Sequence, residues 1–192
     1  MKLQVHRFLP MTEVEGPGKR ACIWVQGCSI HCAGCAVPET WPINGGFSIS
    51  VEDIANKILC GPKIEGVTFV GGEPFDQAGA LAYLGYILKD SGLSIITFTG
   101  LTYENIIRNP NIGYTDLLKV TDILIDGPFC KEQIDFTRPW VGSSNQRYHF
   151  LTERYKYLEQ KMLSVRNKIE IRILPDGRVL FNGLGDIHGL LE

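Results

Sequence analysis

VTFVGGEPFDQAGALAYLGYILKDSGLSIITF, residues 67–98, reads as a strand, a glycine-rich turn, a helix and a second strand. Val67 to Val70 is a short apolar and β-branched run that stops at Gly71-Gly72, as a buried strand does. From Asp76 to Lys89, Ala78, Leu81, Ala82 and Leu88 fall near helical spacing, and Leu93 to Phe98 is again apolar and β-branched. Two strands joined through a helix run parallel, because a hairpin turn cannot return the chain in that sense.

The same alternation continues on both sides. Downstream, Tyr103 to Arg108 predicts a short helix, Asp116 to Lys119 one more helical turn, and Asp122 to Ile125 a third strand. Upstream, Ser50 and Asp53 resemble a capping box, Ile54 and Ile58 form an apolar stripe, and Gly61-Pro62 ends the helix they imply. Ile23 to Val25 reads as a further short strand. Repeated strand-then-helix order argues for an α/β fold with parallel strands, whose ligands gather at the carboxyl ends of those strands.

Those ends carry the distinctive residues. Gly71-Gly-Glu-Pro74 closes one strand, Thr97-Phe-Thr-Gly100 another and Asp126-Gly-Pro128 a third, while Ile23 to Val25 feeds Gln26-Gly-Cys-Ser-Ile-His-Cys-Ala-Gly-Cys35. Cys28, Cys32 and Cys35 are spaced C-x3-C-x2-C and offer three thiolates from one loop, with no obvious fourth. A cubane [4Fe-4S] cluster held by three protein ligands keeps one iron open, and an open iron is a reason to expect chemistry. The competing reading is a zinc site with His31 or Cys22 as fourth ligand, but structural zinc sites usually use two spaced pairs, and the chain has no second C-x2-C and no H-x3-H. Gly16-Pro-Gly-Lys-Arg-Ala21 superficially fits a dinucleotide fingerprint, yet an acidic loop precedes it and a strand follows, the reverse of the context that motif needs.

The remaining composition narrows the class. A chain of 192 residues with 44% hydrophobic content suits one globular domain with a substantial core. A formal net charge of −2 supplies no general basic surface for nucleic-acid phosphates. The N-terminus lacks the pattern of a signal peptide, and no apolar run approaches the ~18 residues of a membrane span. A cytoplasmic protein with neither nucleic acid nor membrane as partner is expected, and there six cysteines suggest metal or redox ligands rather than disulfides. Cys22, Cys60 and Cys130 are scattered and read as small apolar residues; His6, His31, His149 and His188 have no mutual spacing that suggests a site. Gly127 to Arg147 looks like a long loop of the kind that is often functional. Beyond it, Thr152 to Ser164 predicts an amphipathic helix with Tyr155, Leu158 and Met162 on one face, and Ile169, Ile171 and Ile173 alternate before a Pro175-Asp-Gly177 hairpin turn into Val179 to Phe181.

Taken in order, Gly16-Pro-Gly18 with Arg20, Gln26-Gly-Cys28, Cys32-Ala-Gly-Cys35, Pro38-Glu-Thr-Trp41, Gly71-Gly-Glu-Pro74, Leu124-Ile-Asp-Gly127 and Gly142-Ser-Ser-Asn-Gln146 resemble the radical S-adenosylmethionine (SAM) superfamily. The resemblance is closest to the anaerobic ribonucleoside-triphosphate reductase activating proteins and spans roughly residues 5 to 150. It implies a partial, open parallel β/α barrel over residues 1–150, carrying a [4Fe-4S] loop at 28–35; the helix and hairpin read from the residues of 151–192 are expected to pack on the same domain. It implies Cys28, Cys32 and Cys35 as cluster ligands, and SAM chelating the fourth iron before its reductive cleavage to a 5'-deoxyadenosyl radical. Gly71, Gly72 and Glu73 match the motif for the SAM ammonium, while Thr99 and Asp126 are implied contacts to its ribose or methionyl side. The implied partners are a glycyl-radical protein such as an anaerobic ribonucleotide reductase and an electron donor such as flavodoxin or ferredoxin. A radical SAM enzyme for a small molecule or another peptide, and a non-catalytic iron-sulfur protein, are the alternatives. Gly34 stands where many radical SAM enzymes have an aromatic residue, as it does in the reductase activators, and the region from about Thr152 to Glu192 has no counterpart in compact members of that group.

Overall fold

A computed structural model describes residues 1–185 of the chain, so the last seven residues of the 151–192 extension, His188 among them, lie outside the described residues. The elements in order are β1 (Lys2–Thr12), β2 (Arg20–Val25), β3 (Phe47–Ser50), α1 (Val51–Leu59), β4 (Gly66–Gly71), α2 (Ala78–Asp90), β5 (Ser94–Phe98), α3 (Tyr103–Arg108), α4 (Ile112–Val120), β6 (Ile123–Asp126), β7 (Arg147–Phe150), α5 (Lys156–Glu159), β8 (Ile169–Ile173) and β9 (Val179–Gly183). Seven strands form one open sheet in the order β3-β1-β2-β4-β5-β6-β7, and β8-β9 make a separate hairpin.

The strand-helix-strand stretch folds as its pattern predicts. β4 and β5 pair in parallel with Gly66 opposite Ser94 and Phe69 opposite Thr97, and β2 and β6 flank them, also in parallel. Parallel pairing is confined to these four strands. β1 lies antiparallel to both β2 and β3, and β7 antiparallel to β6, so the expected parallel strands form the centre of a sheet that is mixed as a whole. β1 carries no expectation from the sequence because its pattern is irregular: its register on β2 shifts between Val5 and Arg7 and again between Leu9 and Thr12.

The two faces of the sheet are covered differently. On one, Leu3, Val5, Ile23, Val25, Val67, Phe69, Ile95 and Leu124 pack with Ile54 and Ile58 of α1, Leu81, Leu84 and Leu88 of α2, and Leu117 of α4. Ser50 caps α1 as expected, its hydroxyl accepting the Asp53 amide at 3.0 Å. On the other, Ile96, Ile123 and Ile125 are covered by Trp140, Val141, Tyr155, Leu158 and Met162.

Two expectations about that second face change. The Gly127–Arg147 loop is an ordered strap: Gln146 Oε1 accepts the amides of Gly142 and Ser143, and the Arg138 guanidinium donates to the carbonyls of Ser143 and Gln146. The helix expected over Thr152–Ser164 is broken into one short α turn, α5, with 3-10 turns at Glu153–Tyr155 and Met162–Ser164. Its apolar residues are buried where the periodicity placed them, but anchors at its start override helix continuation. The buried Tyr155 hydroxyl meets Ser94 Oγ at 2.7 Å and accepts from Arg20 Nη1 at 3.1 Å, while Arg154 Nη1 donates to Gly92 O at 2.8 Å.

Candidate functional site

The carboxyl ends of β2, β4, β5 and β6 meet around the cysteine loop. Gly27 donates its amide to Thr40 O at 2.7 Å and Cys28 to Trp41 O at 3.2 Å, so the loop is closed at its base. The buried Gln26 side chain tightens this closure, its Nε2 donating to Glu39 O at 2.9 Å and to Pro42 O at 2.6 Å. Inside the loop, Cys35 N donates to Cys32 O at 3.1 Å, and His31 takes a left-handed φ of 54° with its ring stacked 4.8 Å from that of Trp41. Asp76, at the foot of α2, accepts from the amide and the hydroxyl of Ser29, each at 2.8 Å.

Cys28, Cys32 and Cys35 are all half-buried and free. Burial pushes the Cys28 and Cys32 thiols up, while the amides of Ile30 and His31 at Cys28 and of Phe129 at Cys32 pull the other way. Half-buried sulfurs that receive amide hydrogen bonds suit an iron-sulfur cluster, whose irons supply the compensating positive charge. Among the described residues no three Cys, His, Asp or Glu side chains gather as a single ion would require. Thiolates bound to separate irons of a cubane need not converge on one point, whereas the ligands of a tetrahedral zinc must.

The β4 turn lies directly against this loop. Gly72 N donates to Val25 O and Glu73 N to Gly27 O, both at 2.9 Å. A Cβ on Gly72 would stand 2.0 Å from Gly27 O, and one on Gly71, whose φ is +104°, would stand 2.7 Å from Trp24 Cα. Both glycines are therefore required by the close approach of two backbones.

Glu73 is buried and spends its carboxylate on the next strand end. Oε1 accepts from Thr99 Oγ1 at 2.8 Å and from Phe75 N at 2.9 Å, and Oε2 accepts from Gly100 N at 2.9 Å. Burial pushes this carboxyl up to about 7 against those three donors. Thr99 also accepts the Leu101 amide at 3.0 Å and donates its own amide to Ile125 O at 2.9 Å, tying β5 to β6.

Asp126, fully buried at the end of β6, is held in the same way. Its carboxylate accepts from Tyr103 N at 2.6 Å and from Arg147, and His149, whose ring stacks 4.7 Å from Tyr103, lies 3.2 Å away. Burial alone would raise this carboxyl; Arg147, the Tyr103 amide and His149 outweigh it and hold the value below the ordinary one. Gly71, Gly72, Glu73 and Thr99 are thus brought together with the cysteine loop, and Asp126 stands at the adjoining strand end. The polar atoms of Glu73, Thr99 and Asp126 point into the wall of the site.

The sequence reading missed the rest of that wall. Ile30 lies against Gly100, with a Cβ there only 3.1 Å from it, and Phe129 and Lys131 lie within 3.4 Å and 3.3 Å of the Cβ position of Gly34. Ser29, Asp76, Arg147 and Tyr103 complete the set through long-range hydrogen bonds, which no spacing pattern announces.

Comparison with known proteins agrees with this construction. The sequence pattern of the family described as a 4Fe-4S single cluster domain matches residues 14–149. The chain is 30% identical over 159 residues to the anaerobic ribonucleoside-triphosphate reductase-activating protein of Vibrio cholerae, spanning 78% of this chain and 99% of that one. It is 29% identical over 157 residues to the protein of the same description from Escherichia coli, with the same shares. To the pyruvate formate-lyase-activating enzyme of Clostridium pasteurianum it is 32% identical over 128 residues, 64% of this chain and half of that one. The cysteine loop and every strand-end turn around it fall inside the matched stretch, so the chain belongs to the 4Fe-4S single cluster domain family and, within the radical SAM superfamily, to the group of the anaerobic ribonucleoside-triphosphate reductase-activating proteins, with a [4Fe-4S] cluster and SAM as its cofactors.

Proposed function

We propose that this protein generates a glycyl radical on an anaerobic ribonucleoside-triphosphate reductase, using Cys28, Cys32 and Cys35 as the protein ligands of its cluster. The observation that supports the reading is the three-thiol loop, held at its entry by the Gly72 and Glu73 amides and lying inside the stretch matched by the family and by the reductase-activating proteins. When bound, the cluster and SAM supply a one-electron cleavage that yields a 5'-deoxyadenosyl radical, which takes a hydrogen atom from a glycine Cα.

The chain's own residues bind, orient and shield. Gly71 and Gly72 let the backbone come close enough for its carbonyls to receive an ammonium group. The Glu73 carboxylate fixes that backbone from below through Phe75, Thr99 and Gly100. Thr99 and Asp126 act as positioning residues for the strand ends that face the ribose and the methionyl side. Ile30 and Phe129 close the loop against water. The open sheet with helices along one face corresponds in this reading to the partial barrel of the superfamily, with residues 1–150 as its core and 151–192 packed on the same domain. The electron comes from a small carrier such as flavodoxin or ferredoxin.

The test is anaerobic reconstitution with iron and sulfide, followed by mixing with SAM, a reductant and the reductase. A glycyl-radical signal by electron paramagnetic resonance is expected, and in Cys32→Ala the cluster absorbance and the signal disappear together. Abundant 5'-deoxyadenosine with a metabolite, and no radical on the reductase, would replace this reading with a small-molecule one.

A further inference from the structure

The family match ends at residue 149, yet the chain continues into a hairpin that turns the wrong side outward. β8 and β9 pair with Ile171 opposite Phe181 and Ile173 opposite Val179. Directly opposed residues share a face, so these four side chains stand together, and Glu170, Arg172, Leu180 and Asn182 stand on the other. The second face is the one that docks. Glu170 and Asn182 bond to Thr12, Arg172 donates to Met11 O, and at the hairpin's foot Gly183 N donates to Glu15 at 2.8 Å. The apolar face looks outward, with Ile171 51%, Ile173 77%, Val179 45% and Phe181 55% exposed. A two-stranded hairpin ordinarily buries its apolar side chains, because it has little stability of its own. Here polar anchors hold it in place and leave four matched apolar side chains to serve something else.

Its direction says what. β1 runs from the cysteine end toward the opposite end, with Val5 beside Val25 and Thr12 beside Arg20. From its foot upward the hairpin follows that line, Gly183 meeting Glu15, Glu170 and Asn182 meeting Thr12, and the Phe181 carbonyl meeting the Arg7 guanidinium, while the long Arg172 side chain reaches back to Glu170 and Met11 O. The Pro175-Asp-Gly177 turn therefore points toward the cysteine end.

Size argues against a second copy of this chain as the occupant. The exposed parts of the four side chains amount to on the order of 400 Å², and two such faces together to on the order of 800 Å², below the ~1,200 Å² of a stable interface. A patch of this size suits a contact that forms and releases, as an enzyme acting on a protein substrate needs. At the cysteine end, toward which the hairpin turn points, Ile43, 79% exposed, lies beside Gly27 and adds a further apolar point for one visiting protein.

We propose that the outward face of the β8-β9 hairpin docks the reductase: an apolar surface segment of that protein lies along Ile171, Ile173, Val179 and Phe181 while its glycine loop enters beside the hairpin tip. The inference rests on the function proposed above. The experiment uses the full-length, cluster-loaded protein with the single variants Ile171→Ser, Ile173→Ser and Phe181→Ser and the triple variant. SAM cleavage driven by dithionite without reductase is expected to equal that of the unsubstituted protein, which also shows that the variants are folded and loaded. The reductase concentration giving half the maximal rate of radical formation is expected to rise at least tenfold in the triple variant, with the rate at saturation unchanged. An unchanged half-saturating concentration, while the unsubstituted protein forms the radical, overturns the docking face and spares the functional reading. Absence of a radical with the unsubstituted protein overturns both. A dimer by sedimentation that the triple variant converts to a monomer gives the face to a second copy and overturns the proposal too.

Discussion

Gly72, in the β4–α2 connection, and Gly79, in the first turn of α2, have opposite sensitivities. A methyl group on Gly72 would meet Gly27 O at 2.0 Å, and that carbonyl is backbone held by the Glu73 amide. Gly72→Ala must push the β4 turn away from the chain that enters the cysteine loop. Iron and sulfide per chain after reconstitution are expected to fall several-fold, in a protein whose circular dichroism stays near that of the parent. Gly79, in the first turn of α2, has nothing within 4 Å of its Cβ position. Gly79→Ala is expected to retain full cluster content and to stabilise by about 0.5–1 kcal/mol, the helix-propensity difference, read as a higher melting temperature. Asp126 supplies the pH dependence. Its carboxyl is held below the ordinary value, so its stabilisation is present above about pH 4 and is lost as pH falls through the folded-state value. Asp126→Asn is expected to cost about 1–3 kcal/mol near neutrality, because Arg147 and the Tyr103 amide lose a charged acceptor. The difference from the parent should shrink on acidification, and a denaturant series at pH 7, 5 and 3.5 checks it. Sequence reading found these positions by their place at strand ends. That Glu73 and Asp126 brace the wall depends on partners 23 to 27 residues away, and no local pattern contains that information.

Among the elements, the segment after β7 separates what periodicity can and cannot tell. The spacing of Tyr155, Leu158 and Met162 correctly gave three buried residues, all 9% exposed or less, yet the backbone between them is three short turns. Burial follows from hydrophobicity and spacing, whereas helix continuity depends on what the ends are tied to. Here the start, at Arg154 and Tyr155, is tied to Arg20, Ser94 and Gly92 elsewhere in the chain. Tyr155→Phe tests that anchor. Arg20 is fully buried and, among the described residues, has no carboxylate within hydrogen-bond distance; it donates to Thr68, Ser94, the carbonyls of Pro17 and Val67, and the Tyr155 hydroxyl. Removing that hydroxyl leaves a buried cation short of one acceptor, and a loss of about 1–3 kcal/mol is expected. For a chain of this length that lowers the melting temperature by roughly 2–4 °C per kcal/mol, with SAM cleavage at room temperature unchanged. β1 teaches the complementary lesson. Its two register shifts interrupt the alternation that announces a strand, so the longest strand of the sheet was the least legible one.

For the whole molecule, the readable portion was the parallel middle of the sheet and the loop that crowns it, because strand, turn and helix each leave a local signature there. The flanks were not readable, since β1, β3 and β7 owe their places to pairing across long sequence separations. The same distinction bears on the extension after residue 150. One side of the sheet at Ile96, Ile123 and Ile125 is covered by Trp140 and Val141 of the strap together with Tyr155, Leu158 and Met162. Burying a side chain of that size contributes about 1.5–3 kcal/mol, so the three from the extension together supply roughly 5–9 kcal/mol. Native domains are stable by only about 5–15 kcal/mol in all. The strap would also lose Asn167, whose side chain accepts the Trp140 amide at 3.1 Å and donates to Phe136 O and Arg138 O. A chain ended at Leu151 keeps every cysteine and every strand of the large sheet, yet it loses an amount of stability comparable to the total. It is expected to bind 1-anilinonaphthalene-8-sulfonate and to melt without a cooperative transition, while the full chain melts in one. Two resolved transitions in the full chain, or a cooperative melt of the shortened one within a few degrees of the parent, would mean that residues 152–192 form a separate unit with no part in closing the core.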